Sequence, residues 1–207
     1  MHEPWPELPP EAFGKEDQTD DEIFYLPPRL VTHIDDAAIA ALTGFYRARL
    51  PPGGVILDLM SSWVSHLPPE IEFAEVIGQG MNAAELAANP RLTRWFVHNL
   101  NREPALPLDS GSVDAALCCV SVQYLQRPVE VLAEIARVLR PGAPFIVSFS
   151  NRCFPTKAVA IWRALRMRDQ AALVNMYLDR VGFSSQSTAV LADGSNGDPL
   201  IAVVGIR

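Results

Sequence analysis

Ser148, Ser150, Asn151, Arg152 and Lys157 crowd polar groups around the end of an apolar stretch. Arg152 and Lys157 could hold an anionic group. Alternatively, Asn151 caps the helix that follows and both bases are solvated. His33, with Arg29 close by, precedes the first clear helix and titrates in the range of a general base, or is a surface residue. His33, Tyr124, Asn151 and Arg152 are the candidate catalytic residues. Just past Asp58, Ser61, Ser62 and Ser65 offer hydroxyl donors suited to a carboxylate, or cap short helices. His2, His33, His66 and His98 have no metal-like spacing with one another or with Cys118, Cys119 and Cys153, so a zinc site is not expected. There is no Gly-x-Ser-x-Gly, no Gly-Lys-Ser/Thr and no intact Gly-x-Gly-x-x-Gly. None of Tyr25, Tyr46, Tyr124 and Tyr177 has a Lys four residues on. Hydrolase, P-loop and nicotinamide chemistry drop out.

The chain that must position these groups has 207 residues, 49% of them hydrophobic, which suits one domain with a packed core. Its net charge of −7 arises within residues 1–24, which hold eight acids and the single base Lys15. The remainder is balanced and shows no basic stripe, so no nucleic-acid partner is expected. The odd, sparse cysteines point to a reducing, cytoplasmic setting. No apolar run reaches the ~18 residues of a membrane span, so no membrane partner is expected. The acidic start is unlike a signal peptide.

Residues 1–28 carry Pro4, Pro6, Pro9, Pro10, Pro27 and Pro28 among their acids and read as an arm lying on the body. Trp5, Phe13, Ile23, Phe24 and Tyr25 could pin it, but its removal is expected to lower the melting temperature little. From Asp35, apolar residues at Ile39, Leu42, Tyr46 and Leu50 predict a helix capped by Asp35 or Asp36 and stopped by 51–54. Val55–Leu59 reads as a buried strand, Ser61–Leu67 as at most two helical turns, and Phe73–Ile77 as a strand bounded by Gly78 and Gly80. Met81–Ala88 favours helix with Asn82 as N-cap, and Arg94–His98 a weak strand.

The run 113–150 predicts strand, helix and strand. Pro128 opens the helix, Val129, Leu132, Ala136 and Leu139 share a face, and 140–142 close it. Val113–Val120 and Pro144–Phe149 should be adjacent parallel strands. Helices near Thr156–Met167 and Gln170–Val181 precede strands near Ser187–Leu191 and Leu200–Ile206. The short loop between these makes them antiparallel.

Leu106-Pro107-Leu108-Asp109-Ser110-Gly111-Ser112-Val113-Asp114, followed by Leu139-Arg140-Pro141-Gly142, resembles the segments flanking the fourth strand and its helix in class I S-adenosylmethionine-dependent methyltransferases, of the type 11-like branch. The resemblance covers roughly 29–207, with 1–28 as the arm. It implies an α/β, Rossmann-like three-layer sandwich: a mostly parallel seven-stranded sheet with a C-terminal antiparallel hairpin. It also implies a cytoplasmic enzyme that takes S-adenosylmethionine as cofactor, releases S-adenosylhomocysteine, and acts on a small-molecule acceptor.

Carried onto this sequence, the implied cofactor contacts are Asp58, Met60, Ser61, Ser62, Gly80, Met81, Asn82, Asn99, Leu100, Cys119 and Val120. The family's glycine loop is altered here, with Met60, Ser62 and Val64 at the glycine positions. Gly80 stands where the family has a ribose-binding acid, so Gly80→Asp is expected to strengthen cofactor binding. Asn82 or the serines are the implied substitutes. Met81 would face adenine, Asn99-Leu100 its amino group and ring, and the backbone at Cys119-Val120 the methionine ammonium. Each also has a structural reading: helix caps for the serines and Asn82, core for Met81 and the thiols, a turn for Asn99. A non-catalytic relative binding a small ligand or protein partner is the alternative function.

Overall fold

The structure is a computed structural model that describes residues 8–207. His2, Glu3, Pro4, Trp5, Pro6 and Glu7 lie outside the described residues. In chain order the elements are α1 (Asp21–Phe24), α2 (Asp36–Arg47), β1 (Val55–Leu59), β2 (Glu75–Gly80), α3 (Ala83–Ala88), β3 (Arg94–Val97), β4 (Ala115–Cys119), α4 (Pro128–Val138), β5 (Pro144–Ser150), α5 (Ala160–Ala164), α6 (Met167–Arg180), β6 (Ser184–Ala192) and β7 (Leu200–Ile206).

All seven strands form one sheet in the order β3-β2-β1-β4-β5-β7-β6. β1 to β5 pair in parallel, and β7 runs antiparallel between β5 and β6. Successive residues of a strand point to opposite faces, and here both faces are covered. Leu57, Leu59, Phe145, Val147 and Phe149 join one core cluster with the buried faces of α4 and α6; Ile56, Leu117 and Ile146 join another with α2. This is the expected three-layer sandwich. The two ends of the recognised sequence segments meet: Asp114 accepts from Val55 N at 2.8 Å and pairs with Arg140.

Several local expectations are corrected. Ser61–Leu67 holds no helix; it is an irregular loop fixed by side-chain hydrogen bonds described below. β2 runs to Gly80 because it pairs with β1 from Val55↔Glu75 to Leu59↔Gln79 and with β3 as far as Gly80↔Val97. Gly78 and Gly80 lie inside it as points of close approach: a Cβ on Gly78 would stand less than 3.0 Å from the Leu92 side chain. The buried face of α4 is Val131, Leu132, Ile135 and Val138, while Val129 and Ala136 are only half-buried. The helix expected near Thr156–Met167 is reduced to α5, because Ala158 and Val159 are already buried ahead of it and Val159 N donates to Gln123 O at 3.0 Å.

The described part of the arm packs on the body. Asp17 N donates to Thr156 O and Ala160 N to Gly14 O, each at 2.9 Å. Beneath it lies a buried ionic cluster. Lys15 pairs with Asp21 at 2.6 Å, and Lys157 lies 3.4 Å from Asp21 and 3.5 Å from Asp17. Lys157 is wholly buried and also donates to the carbonyl oxygens of Asp17 and Thr19. It therefore anchors the arm and is not available to an acceptor.

Candidate functional site

A cavity of about 570 Å³ opens beyond the carboxyl ends of β1, β2 and β4. In the strand order, β1 and β4 are the neighbours from which the chain winds in opposite directions, and open α/β sheets bind ligands at that switch point. Met60, Ser61, Ser62, Met81, Asn82, Asn99, Leu100, Cys119 and Val120 all line it. So do His33, Tyr124 and Arg152. Asp58, Gly80 and Asn151 do not.

Asp58, the penultimate residue of β1, is 3% exposed. Its Oδ2 accepts from Ser61 Oγ and Ser65 Oγ, both at 2.6 Å. Burial outweighs these two donors and raises the carboxyl pKa to about 6. Asn89 then ties the same loop to α3's end, donating to Ser62 O at 2.9 Å and Ser65 Oγ at 2.8 Å. Asp58 is thus a scaffold for the loop. Gln79, 1% exposed, joins two loops: Oε1 accepts from Met60 N at 2.9 Å and Nε2 donates to His98 O at 2.6 Å. Met60 sits at φ 54° and Val120 at φ 46°, left-handed conformations that side chains seldom take, both on the cavity wall.

The implied hydrogen-bonding substitutes are already engaged. Asn82 caps α3 through Oδ1, which accepts from Ala84 N and Glu85 N, and its Nδ2 donates to Tyr25 O and Leu26 O at 2.8 and 2.9 Å. Ser62 Oγ donates to Glu85 Oε2 at 2.6 Å. Asn99 Oδ1 accepts from Asn101 N at 3.1 Å, the turn reading. Tyr124 Oη accepts from Phe154 N at 2.8 Å and burial raises its pKa to about 12. Arg152 Nε donates to Asp198 Oδ1 at 2.7 Å, and Asp198 is bridged in both directions to Asp35, the N-cap of α2. Asn151 is exposed and accepts from Ser150 Oγ at 3.2 Å; it leaves the set of catalytic candidates. The Cys118 and Cys119 thiols are pushed up to about 12 by burial and stay protonated.

Gly80 is not free to carry an acid. A Cβ there would stand less than 3.0 Å from Ser61 O and 3.1 Å from Leu86 Cδ2, facing protein and not cavity. The expectation that Gly80→Asp would supply the missing ribose grip is therefore overturned.

Among the lining residues that escaped sequence reasoning are Glu85 and His66. Glu85, on the first turn of α3, accepts from Arg29 N at 2.6 Å and from Ser62, leaving lone pairs on both oxygens. Its signal was present in the Asn82-x-x-Glu85 spacing of a capping box, but the carboxylate reaches to residue 29 instead of back to its own cap. His66, at φ 53°, lines the cavity with His33. Burial and, to a smaller extent, the nearby His33 lower its pKa to about 4. His33, packed edge-on against Phe154 at 5.7 Å, is also lowered by desolvation, with Glu85 opposing and Arg29 assisting. Nothing in the sequence brings positions 33 and 66 together; only the fold does.

Residues 72–147 match the family model described as a methyltransferase domain. Similar solved structures include an S-adenosylmethionine-dependent methyltransferase from Mesorhizobium loti, 18% identical over 81% of this chain and 98% of its own, TM-score 0.59. One from Aquifex aeolicus is 15% identical over 82% and 90%, TM-score 0.59. The [4+2]-cyclase SpnF is 14% identical over 87% and 89%, TM-score 0.62. No curated protein matches. By its strand order and its likeness to these structures, the chain has the class I methyltransferase fold.

Proposed function

We propose that this chain is an S-adenosylmethionine-dependent methyltransferase acting on a small molecule in the cytoplasm. The observation that carries the reading is the cavity at the β1/β4 switch point, walled by nine of the eleven residues that the family resemblance implies for the cofactor. The residues fit the group with altered partners. Glu85 takes the ribose hydroxyls on its remaining lone pairs, in place of an acid at the end of β2. The backbone amides of Ser62 and Trp63, which have no acceptor among the described residues, receive the methionyl carboxylate. Met81, Asn99 and Leu100 form the adenine end, and the backbone at Cys119-Val120 the ammonium end.

When bound, the cofactor supplies an electrophilic methyl group. The chain's part is to hold the acceptor in line with it, which supplies much of the acceleration. His33 and His66 are neutral at neutral pH and can take the proton an acceptor sheds. The second reading is a cavity that binds a ligand without transferring a methyl group. The commitment of Ser61, Ser62 and Asn82 to internal partners favours it, and the similar SpnF is described as a cyclase.

Calorimetry with S-adenosylmethionine tests the proposal. The parent should bind. Glu85→Ala should weaken binding roughly ten- to a hundredfold, the loss of a charge-assisted pair of about 1.5–3 kcal/mol. Ser62→Ala should stay within about threefold, because its hydroxyl serves Glu85. A folded parent with no detectable binding would remove the methyltransferase reading.

A further inference from the structure

Four of the large apolar side chains that the described residues leave exposed fall within nine positions, at the end of the arm and just past it. They are Ile23 (63%), Leu26 (74%), Leu30 (56%) and Val31 (57%). This segment is not loose. Asn82 holds the carbonyls of Tyr25 and Leu26, and Glu85 holds Arg29 N at 2.6 Å. The Arg29 guanidinium donates to Phe24 O at 2.9 Å and stacks over the Phe24 ring at 4.5 Å. Trp63 Nε1 reaches across the cavity mouth to Val31 O at 3.0 Å. The backbone is thus tied along its length while its apolar side chains are held outward, in water. Burying them would release roughly 25 cal/mol for each Å² covered, so a fixed display of this kind suits a ligand.

The patch is continuous with the cavity. Val31 is exposed yet also lines it, and the inner wall goes on as Ile34, Trp63, Val64, Leu125 and Phe154. Pockets of ~300–1,000 Å³ enclose one drug-sized ligand. A cavity of about 570 Å³ that holds a cofactor therefore has room for only the reacting end of an acceptor. The remainder must leave over the rim. The Arg152 charge is matched by Asp198, and Glu85, held by the neutral donors Ser62 Oγ and Arg29 N, is assigned to the ribose, which leaves the acceptor an uncharged head.

We infer that the acceptor is an apolar-tailed small molecule with an uncharged, weakly acidic head. The head lies between His33 and His66, and the tail runs out over Val31, Leu30, Leu26 and Ile23. The inference rests on the methyltransferase reading for what happens to the head, but not for the binding of the tail.

The test uses the full chain and the methyl, butyl and octyl esters of 4-hydroxybenzoate, titrated by calorimetry with S-adenosylhomocysteine present and absent. Affinity should rise about two- to fourfold per added methylene, until the tail outruns the patch. Leu26→Ser/Leu30→Ser should flatten that rise, and both positions are exposed enough to change without disturbing the core. Val190→Ser, equally exposed on β6, should leave the rise intact. No rise in the parent, or a rise that survives the double variant, overturns the inference. So does a dimer, seen by sedimentation, that the double variant dissolves, since a second copy would then own the patch. So does binding to neutral lecithin vesicles that the double variant abolishes. A parent that binds S-adenosylmethionine but shows no chain-length rise loses only this inference. One that shows the rise but binds no S-adenosylmethionine loses the methyltransferase reading and keeps the tail site.

Discussion

A Cβ placed on Gly80 would stand less than 3.0 Å from the carbonyl oxygen of Ser61, so the end of β2 and the loop after β1 touch backbone to backbone. That contact is reinforced by Ser61 N donating to Gln79 O at 2.6 Å. It closes the position at which the family resemblance implies a ribose-binding acid, and Glu85 is the proposed replacement.

Gly80→Asp is accordingly expected to destabilise the fold by about 1–3 kcal/mol, the usual cost of overpacking, and to weaken S-adenosylmethionine binding. Gly80→Ala should show most of the same loss, since the obstruction begins at Cβ. Urea unfolding and calorimetry on both variants check this. An aspartate variant with the parent's midpoint and tighter binding would restore the ribose-acid role to position 80.

The arm should matter more to stability than its composition implies. Asp21 stands between Lys15 and Lys157, whose side chains are 4% and 0% exposed. Asp21→Ala leaves two buried ammonium groups short of their counter-ion and should cost roughly 3–5 kcal/mol. For a chain of this length that is about a 10 °C fall in melting temperature. Lys157→Met removes charge and cavity together and should cost much less. Calorimetric melting decides it. A melting temperature unchanged by Asp21→Ala would return the arm to the dispensable appendage that its acid and proline content suggests.

Asp58 on β1 and the half-buried His66 in the loop that follows should produce opposite pH dependences. Asp58 is raised to about 6 by burial, so the folded state holds its proton more tightly than the unfolded chain. Its contribution to stability is full below about pH 4 and is lost as pH rises through 6. His66 is lowered to about 4, so its contribution is full above pH 6.5 and is lost as pH falls through 4. Each effect is on the order of 3 kcal/mol, and they nearly cancel. In Asp58→Asn, stability between pH 4 and 6.5 should climb with pH. In His66→Asn, which keeps a residue tolerant of the left-handed backbone, it should fall. Urea midpoints across that range read both slopes; identical profiles in the two variants and the parent would show that neither group is perturbed as described.

What the sequence determined by itself was the sheet. Mainly apolar runs such as Val55–Leu59 and Pro144–Phe149 carry apolar side chains on both faces, and only a strand covered on both sides accommodates them. Pro128 at a helix start, and a short loop between the last two strands, then fixed one parallel crossover and one antiparallel pair. These are decisions between neighbours in the chain. The site was settled by groups that are not neighbours. The hydroxyl of Ser62 is spent on Glu85, 23 positions away, and the charge of Lys157 on the arm, 138 positions from Thr19. Residue type told which groups could donate and accept. Which partner each one found depended on how the loops after β1 and β2 and the arm crowd one end of the sheet, and a hydrogen bond forms only where such surfaces meet within about 3 Å.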